Sequence, residues 1–393
     1  MLAPLPSVEA FRRDAVSMDG AELDDGMAAA WLESATRLER AAMTRGPERE
    51  RLLGGLLARH DVVVFPDRPV ASSAVFSMVT SIAADMEDQA CFRLAHSMLS
   101  TLLLIIPENE EMLRGRAIAL LGRLARHIGD LAAATRYYEQ VEEIGVHSGA
   151  AELTGRAWVG YGILAQLRGD FPEARRRFNA AIELDGAAAE SVGVAHQQLM
   201  VAAATAKDYD LAASHAWKAF KGASTCAQET EALVNLAQLL LVAGHSRASL
   251  RGFAAALARE PIYRFALPSL GGAACAAAAA LPLPAARALV RNFSDRVDQI
   301  ITALHNGRTM PFPSAAALTE VSEALAVIGD EERSSRLAAR AEELATAHGF
   351  HEILYRLENP VHIAAPAPLA PATTEILAAV DELEGAELVG AAG

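Results

Sequence analysis

Apolar residues recur along the chain at the three- and four-residue spacing of amphipathic helices, and short turns interrupt this pattern at regular distances. The turns are Gly129-Asp130, Gly169-Asp170, Lys207-Asp208, Gly244-His245, Leu281-Pro282 and Gly329-Asp330. A small residue follows each turn, at Ala134, Ala174, Ala212, Ser249, Ala286 and Ser334. A repeat of about 40 residues with a turn at its middle predicts stacked helical hairpins.

The clearest copy of the repeat reads GRAWVGYGILAQLRGDFPEARRRFNAAIELDG. It carries Trp158, Tyr161-Gly162 and Ala165, and after the turn Ala174 and Phe178. The copy before it has Ile118, Leu121-Gly122, Ala125, Ala134 and Tyr138 at matching positions. Small residues let two helices approach closely, and the aromatic ring then fills the gap to the next hairpin.

These spacings resemble the tetratricopeptide-repeat family, whose pattern is W-x2-L-G-x2-Y, then A-x3-F, then a closing proline. The resemblance implies an all-α fold, a right-handed superhelical solenoid of stacked antiparallel helix hairpins. It divides the chain into four parts. These are an acidic N-terminal segment (1–26), N-terminal helical hairpins (27–111), the repeats proper (112–358), and a Pro/Ala linker with an acidic tail (359–393).

Composition agrees with many closely packed helices and narrows the function. Hydrophobic residues make up 52% of the chain and aromatic residues only 5%, as expected where Ala and Leu dominate. The net charge of −14 argues against nucleic acid as a direct partner. Cys91, Cys226 and Cys275 lie far apart in sequence, which predicts neither a disulfide framework nor a zinc site and favours a cytoplasmic location.

No membrane or catalytic signature stands out. The uncharged stretch 265–286 is interrupted by Pro268, Pro282 and Pro284, so we expect a packed helix rather than a membrane span. The nucleotide-binding, hydrolase and zinc-protease motifs are absent from the sequence. His196 lies on the inward stripe of its helix, where a satisfied core histidine is expected. We therefore expect no enzyme activity, no cofactor and no metal.

Polar residues on the first helix of each hairpin form the candidate site, because the first helices of such repeats line the concave surface. Helix phase places there Arg116, Arg123, Arg126, His127, Arg156, Gln166, Gln198, Asn235 and Gln238. Guanidinium groups bind carboxylates and amides bind peptide backbone, so this set favours an extended acidic protein or peptide. A solvated surface with no partner is the alternative.

The C-terminal segment offers an internal candidate for the same groove. Ile376, Leu377, Val380 and Leu383 share one helical face, and acidic residues surround them. We expect this segment either to dock on the arginines as a built-in pseudo-ligand or to remain a solubilising tail. The pattern as a whole favours a protein-interaction scaffold or adaptor. The alternative is a sensor of a peptide or metabolite that acts on a separate transcription or defence effector.

Overall fold

The structure is a computed structural model that describes residues 25–60, 70–88, 91–259, 261, 263–304, 310–359 and 371–383. Within these ranges it contains eighteen α-helices and no strand. The predicted all-α class is confirmed. The predicted acidic N-terminal segment lies almost wholly outside the described residues, and so does the Pro/Ala linker from 360 to 370.

The chain divides into two compact units, Met1–Ser191 and Val192–Gly393. The first unit contains α1 (Asp25–Met43), α2 (Gly46–Arg59), α3 (Ser72–Asp88), α4 (Phe92–Ile105), α5 (Glu111–Ile128), α6 (Leu131–Ser148), α7 (Ala151–Leu167) and α8 (Phe171–Glu183). Helix α9 (Ala189–Thr205) begins at the boundary. The second unit continues with α10 (Tyr209–Lys221), α11 (Cys226–Val242), α12 (Ser246–Leu257), α13 (Tyr263–Ala280), α14 (Leu283–Ala303), α15 (Pro311–Val327), α16 (Glu331–His348), α17 (His351–Glu358) and α18 (Pro371–Asp381).

Within each unit the helices pack as consecutive hairpins. In the first unit α3 packs on α4, α5 on α6 and α7 on α8, while α5 also contacts α3 and α7. In the second unit α11, α13 and α15 pack on α12, α14 and α16, and α13 also contacts α11 and α15. We call the odd-numbered helices from α3 to α17 the first helices and the even-numbered helices from α4 to α16 the second helices. This order confirms the predicted stack of hairpins.

The turn dipeptides end one helix and begin the next. Gly129, Gly169, Gly244 and Gly329 have φ between 78° and 89°, and Lys207 has φ of 60° at the equivalent position. Positive φ suits glycine because it lacks a Cβ atom. At three of the turns the following aspartate caps the second helix by accepting a backbone N–H bond: Asp130 from Ala133, Asp170 from Glu173 and Asp208 from Leu211.

Glycines on the first helices make room for aromatic rings of the second helices. A Cβ atom on Gly162 would lie 2.5 Å from Cε1 of Phe178, and one on Gly122 would lie 2.8 Å from Cε1 of Tyr138. Both rings are buried. The close approach that the glycines and alanines of the repeat predict is therefore present.

The uncharged stretch that could be mistaken for a membrane span forms α13 and the start of α14, and α13 packs against α12, α14 and α15. Among the described residues no helix is both long and apolar enough to cross a membrane.

The C-terminal helix α18 docks, but the predicted docking site is wrong. Ile376 and Val380 are buried against the second helices α10 and α12 of their own unit. Alanines 212, 213, 216 and 248 line this groove and let the helix approach closely. Asp381 pairs with Arg251 at 2.9 Å, and Thr373 donates a hydrogen bond to Asp210. Asp381 of this helix thus meets an arginine of α12 rather than the arginines of α5 and α7.

Candidate functional site

Three of the predicted arginines form a row across the first helices of the first unit, and each is bound by a glutamate of a neighbouring first helix. Arg123 on α5 donates to both carboxylate oxygens of Glu87 on α3, at 3.2 and 2.7 Å. Arg116 on α5 donates to both oxygens of Glu152 on α7, at 2.8 and 2.6 Å.

The row continues on the next helix. Arg156 on α7 lies 2.8 Å from Glu190 on α9 and 3.4 Å from Glu152 on its own helix. We call Arg116, Arg123 and Arg156 the arginine row and Glu87, Glu152 and Glu190 its glutamates. Positively and negatively charged side chains therefore alternate across the first helices from α3 to α9.

The arginine row lies at the surface. The side chains of Arg116, Arg123 and Arg156 are 41%, 38% and 22% exposed. Hydrogen bonds with Arg116 lower the pKa of Glu152, and the same bonds raise the pKa of Arg116. Because exposed ion pairs contribute only about 0 to 1 kcal/mol each to folding, stability alone does not explain this alignment.

Each arginine of the row bonds with one edge of its guanidinium group. The Nε and Nη2 atoms contact the glutamates. The Nη1 atoms make no hydrogen bond to the described residues. A guanidinium group carries five N–H donors in a planar fork, so the free edge can donate to an acceptor that arrives from solvent.

A second group of polar side chains lies on the first helices of the second unit. Glu320 on α15 accepts hydrogen bonds from Gln238 on α11 at 3.0 Å and from Arg356 on α17 at 3.3 Å. Arg356 also donates to both oxygens of Glu323, at 3.0 and 2.6 Å. We call Gln238, Glu320, Glu323 and Arg356 the buried carboxylate cluster.

Burial dominates the electrostatics of this cluster. Glu320 is only 5% exposed, and its burial raises the pKa of the carboxyl group while Arg356 lowers it. The thiol of Cys275 donates to the backbone oxygen of Glu320 at 3.2 Å, and burial raises the pKa of that thiol. The cluster is therefore an interior polar site rather than a solvated surface.

The structure is similar to solved structures of helical-repeat proteins. One is a signal transduction ATPase with numerous domains and a tetratricopeptide repeat sensor from Pyrococcus horikoshii, with a TM-score of 0.52 and 15% identity over 89% of this chain and 54% of that chain. Another is a tetratricopeptide repeat protein from Parabacteroides merdae, with a TM-score of 0.39 and 14% identity over 72% of this chain and 99% of that one. A third is BtubC (BKLC) from P. vanneervenii, with a TM-score of 0.38 and 19% identity over 55% of this chain and 84% of that one.

The fold is that of the tetratricopeptide-repeat proteins. No protein-family model matches the sequence, and no curated protein matches it. Tetratricopeptide-repeat folds are generally protein-interaction domains, and their stacked hairpins offer extended surfaces for binding.

The remaining predicted residues lie apart from the arginine row. Arg126 turns toward the second helix α6, where it lies beside the buried ring of Tyr138, and its Nε atom is buried without a hydrogen-bond partner. His127 stacks on Phe92 with ring centroids 4.9 Å apart. Neither residue continues the arginine row.

The predicted amides also divide into two kinds. Gln166, Gln198 and Asn235 are partly exposed and make no side-chain hydrogen bond to the described residues. Gln238 instead bonds to Glu320 within the buried carboxylate cluster.

Sequence reasoning missed the glutamates of the arginine row, although the spacing contains a signal for them. Glu87 and Arg123 are 36 residues apart, as are Arg116 and Glu152. This is about the length of one repeat, so a search for opposite charges one repeat away would have found both pairs.

His196 is buried, as its position on the inward stripe predicts, and its partner is another histidine. Its Nδ1 atom lies 3.0 Å from Nδ1 of His215 on α10. Burial lowers the pKa of His196 to about 4 and also lowers the pKa of His215. Among the described residues no group of three or more potential ligands could hold a metal ion.

Proposed function

We propose that this chain is a protein-interaction scaffold or adaptor and that the arginine row of the first unit contacts the partner. The fold supports a protein or peptide as the partner. The observation that carries the proposal is the free Nη1 edge of Arg116, Arg123 and Arg156, which is presented at a partly exposed surface.

The geometry favours a partner with acidic side chains along an extended or helical segment. The glutamates hold each guanidinium group in place, so little side-chain freedom is lost when a second acceptor binds. A partner carboxylate or peptide carbonyl can accept from Nη1 without displacing the glutamate. The same glutamates repel acidic groups that arrive out of register, which gives the surface selectivity.

The proposal includes no catalytic step, no cofactor and no direct contact with nucleic acid. It retains the cytoplasmic location that the separated cysteines favour.

Substitution of the arginine row tests the proposal. The triple variant Arg116→Gln, Arg123→Gln, Arg156→Gln removes three positive charges from the first helices. A matched control, Arg136→Gln, Arg175→Gln, Arg176→Gln, removes three exposed charges from the second helices α6 and α8. Proteins captured from the native host by the wild-type chain are identified by mass spectrometry, and their affinities for the three chains are then measured.

We expect the row variant to bind the captured partner about tenfold more weakly or worse, because several charge-assisted hydrogen bonds are lost. The control variant should bind within about twofold of wild type. Wild-type binding should weaken as ionic strength rises. Equal affinity of wild type and row variant, with both chains folded, would refute the proposed surface.

A second function, a sensor that responds to a peptide or metabolite and acts on a separate effector, is supported by one observation. The buried carboxylate cluster contains polar atoms without partners among the described residues, as a ligand-responsive site would. A ligand that raises the unfolding temperature of wild type but not of a cluster variant would favour this function.

A further inference from the structure

The buried carboxylate cluster carries more negative than positive charge. Glu320 and Glu323 supply two carboxylates, whereas Arg356 supplies one guanidinium group that is already paired with both oxygens of Glu323. The charged groups that act on Glu320 are Arg356 and Glu323. Among the described residues, Glu320 is therefore left with a single, longer bond of 3.3 Å to a cation.

The cluster also has an excess of acceptor atoms. The Oε1 atom of Gln238 is buried and receives no hydrogen bond from the part of the chain that the structure describes. The Oε2 atom of Glu320 receives none from the described residues, because both of the donors to Glu320 bond to Oε1. A buried acceptor without a donor, such as Oε1 of Gln238, is rare and costly in proteins.

Two glycines of α13 border these oxygens. A Cβ atom on Gly271 would overlap Oε2 of Glu320, and one on Gly272 would overlap the ring of Phe253 and lie 2.9 Å from Oε1 of Gln238. Oε2 of Glu320 thus lies against the backbone of Gly271, whereas Oε1 of Gln238 shares the space beside Gly272 with the ring of Phe253. The cluster reaches solvent through Arg356, whose side chain is 27% exposed.

We propose that the buried carboxylate cluster binds the primary ammonium group of a ligand, such as a lysine side chain or the free amino terminus of a peptide. An ammonium group has three donors, no acceptor and one positive charge. It can donate to Oε2 of Glu320 and to Oε1 of Gln238, and its charge balances the surplus carboxylate. Burial of the pair strengthens this attraction relative to the same contact in water.

The site shares no residue with the arginine row, and it binds a ligand group of the opposite charge. The proposal goes beyond the scaffold function, since it assigns a cationic group to the second unit. Either proposal can fail while the other holds.

Binding of short peptides by the full chain tests the site. The probe is acetyl-Ala-Lys-Ala-amide, and its neutral counterpart carries norleucine in place of lysine. A third peptide, Ala-norleucine-Ala-amide with a free amino terminus, distinguishes the terminal ammonium group from that of a side chain. Affinities are measured by calorimetry or NMR titration for wild type, Glu320→Gln, Gln238→Met and the exposed control Glu343→Gln.

We expect at least one ammonium peptide to bind wild type and Glu343→Gln equally, and to bind Glu320→Gln and Gln238→Met about tenfold more weakly. The acetylated norleucine peptide should not bind. Because Gln238→Met keeps all charges, it tests the site even if Glu320→Gln fails to fold.

Three results would overturn the assignment. One is that neither ammonium peptide binds wild type. Another is that the acetylated norleucine peptide binds as well as they do. The third is an infrared band of a protonated carboxyl group at pH 7 that disappears in Glu320→Gln, because a proton then balances the surplus charge.

Discussion

Replacement of Gly162 by alanine tests whether the repeat depends on the contact between the two helices of a hairpin. The added methyl group would lie 2.5, 2.8 and 2.9 Å from three carbon atoms of the Phe178 ring, whereas ordinary contacts begin at 3.4 Å. The ring is only 2% exposed. It is enclosed by the hairpin, so the overlap must be relieved by moving the ring or the helices apart.

The expected change in the free energy of unfolding is the difference between two opposing contributions. Alanine is favoured over glycine within a helix by about 1 kcal/mol. Overpacking of a closely packed core costs about 1 to 3 kcal/mol. Because three ring atoms overlap at once, we expect the packing cost to exceed the helix gain, with a net loss of about 1 to 2 kcal/mol. In a domain of about 200 residues, that loss lowers the unfolding temperature by roughly 2 to 8 °C.

Gly193 provides the matched control, because no heavy atom lies within 4 Å of a Cβ atom built on this residue of α9. Gly193→Ala should therefore stabilise the chain by about 0.5 to 1 kcal/mol. Both variants are compared by thermal and denaturant unfolding. The double variant Gly162→Ala, Phe178→Leu should lose less stability than the sum of the losses of the two single variants, because the smaller side chain relieves the overlap. If Gly162→Ala stabilises the chain as much as Gly193→Ala, the packing argument is wrong.

Two further predictions concern a turn and a histidine pair. Lys207→Gly should stabilise the chain by about 0.5 to 1 kcal/mol, because Lys207 has a positive φ that costs a residue with a Cβ atom about 1 to 2 kcal/mol. Gly169→Lys should destabilise the chain for the same reason. Unchanged denaturant midpoints would contradict both predictions. Acidification should destabilise the chain through His196, whose pKa is about 4 in the fold against the ordinary 6.5, because the unfolded chain takes up the proton first. The stability that depends on neutral His196 is fully present above pH 6.5 and is lost as the pH falls toward 4. The loss amounts to about 2 to 3 kcal/mol after allowance for partial solvation. His215 and Lys218 face the ring and act in the same direction. Denaturant midpoints of wild type and His196→Gln that fall in parallel over this pH range would refute the prediction.

The hairpins could be predicted from the sequence because their determinants are local. Gly129 and Gly169 adopt the positive φ that a hairpin turn requires, and Asp130 and Asp170 cap the helices that follow. Helix phase likewise placed Arg116 and its neighbours on the partly exposed face of the first helices, since the phase of a helix depends only on its own residues.

The partners of these side chains could not be predicted in the same way, because they come from other hairpins. Gln238 and Glu320 are 82 residues apart, and nothing in the local pattern distinguishes Glu320 from a solvated glutamate. The amphipathic face of α18 was evident from Ile376 and Val380. Its docking groove was not, since that groove includes alanines from two second helices that no local pattern marks as a contact surface.

The docking of α18 also affects how the second unit folds. In a linear repeat array each hairpin contacts only its neighbours, so the terminal repeats can unfold independently. Here Thr373 and Asp210 form a contact between residues 163 positions apart, and α18 packs on α10 and α12 near the beginning of the unit. This contact closes a loop around α13 to α17. It raises the contact order of the unit, slows its folding and makes its unfolding more cooperative than that of an open array.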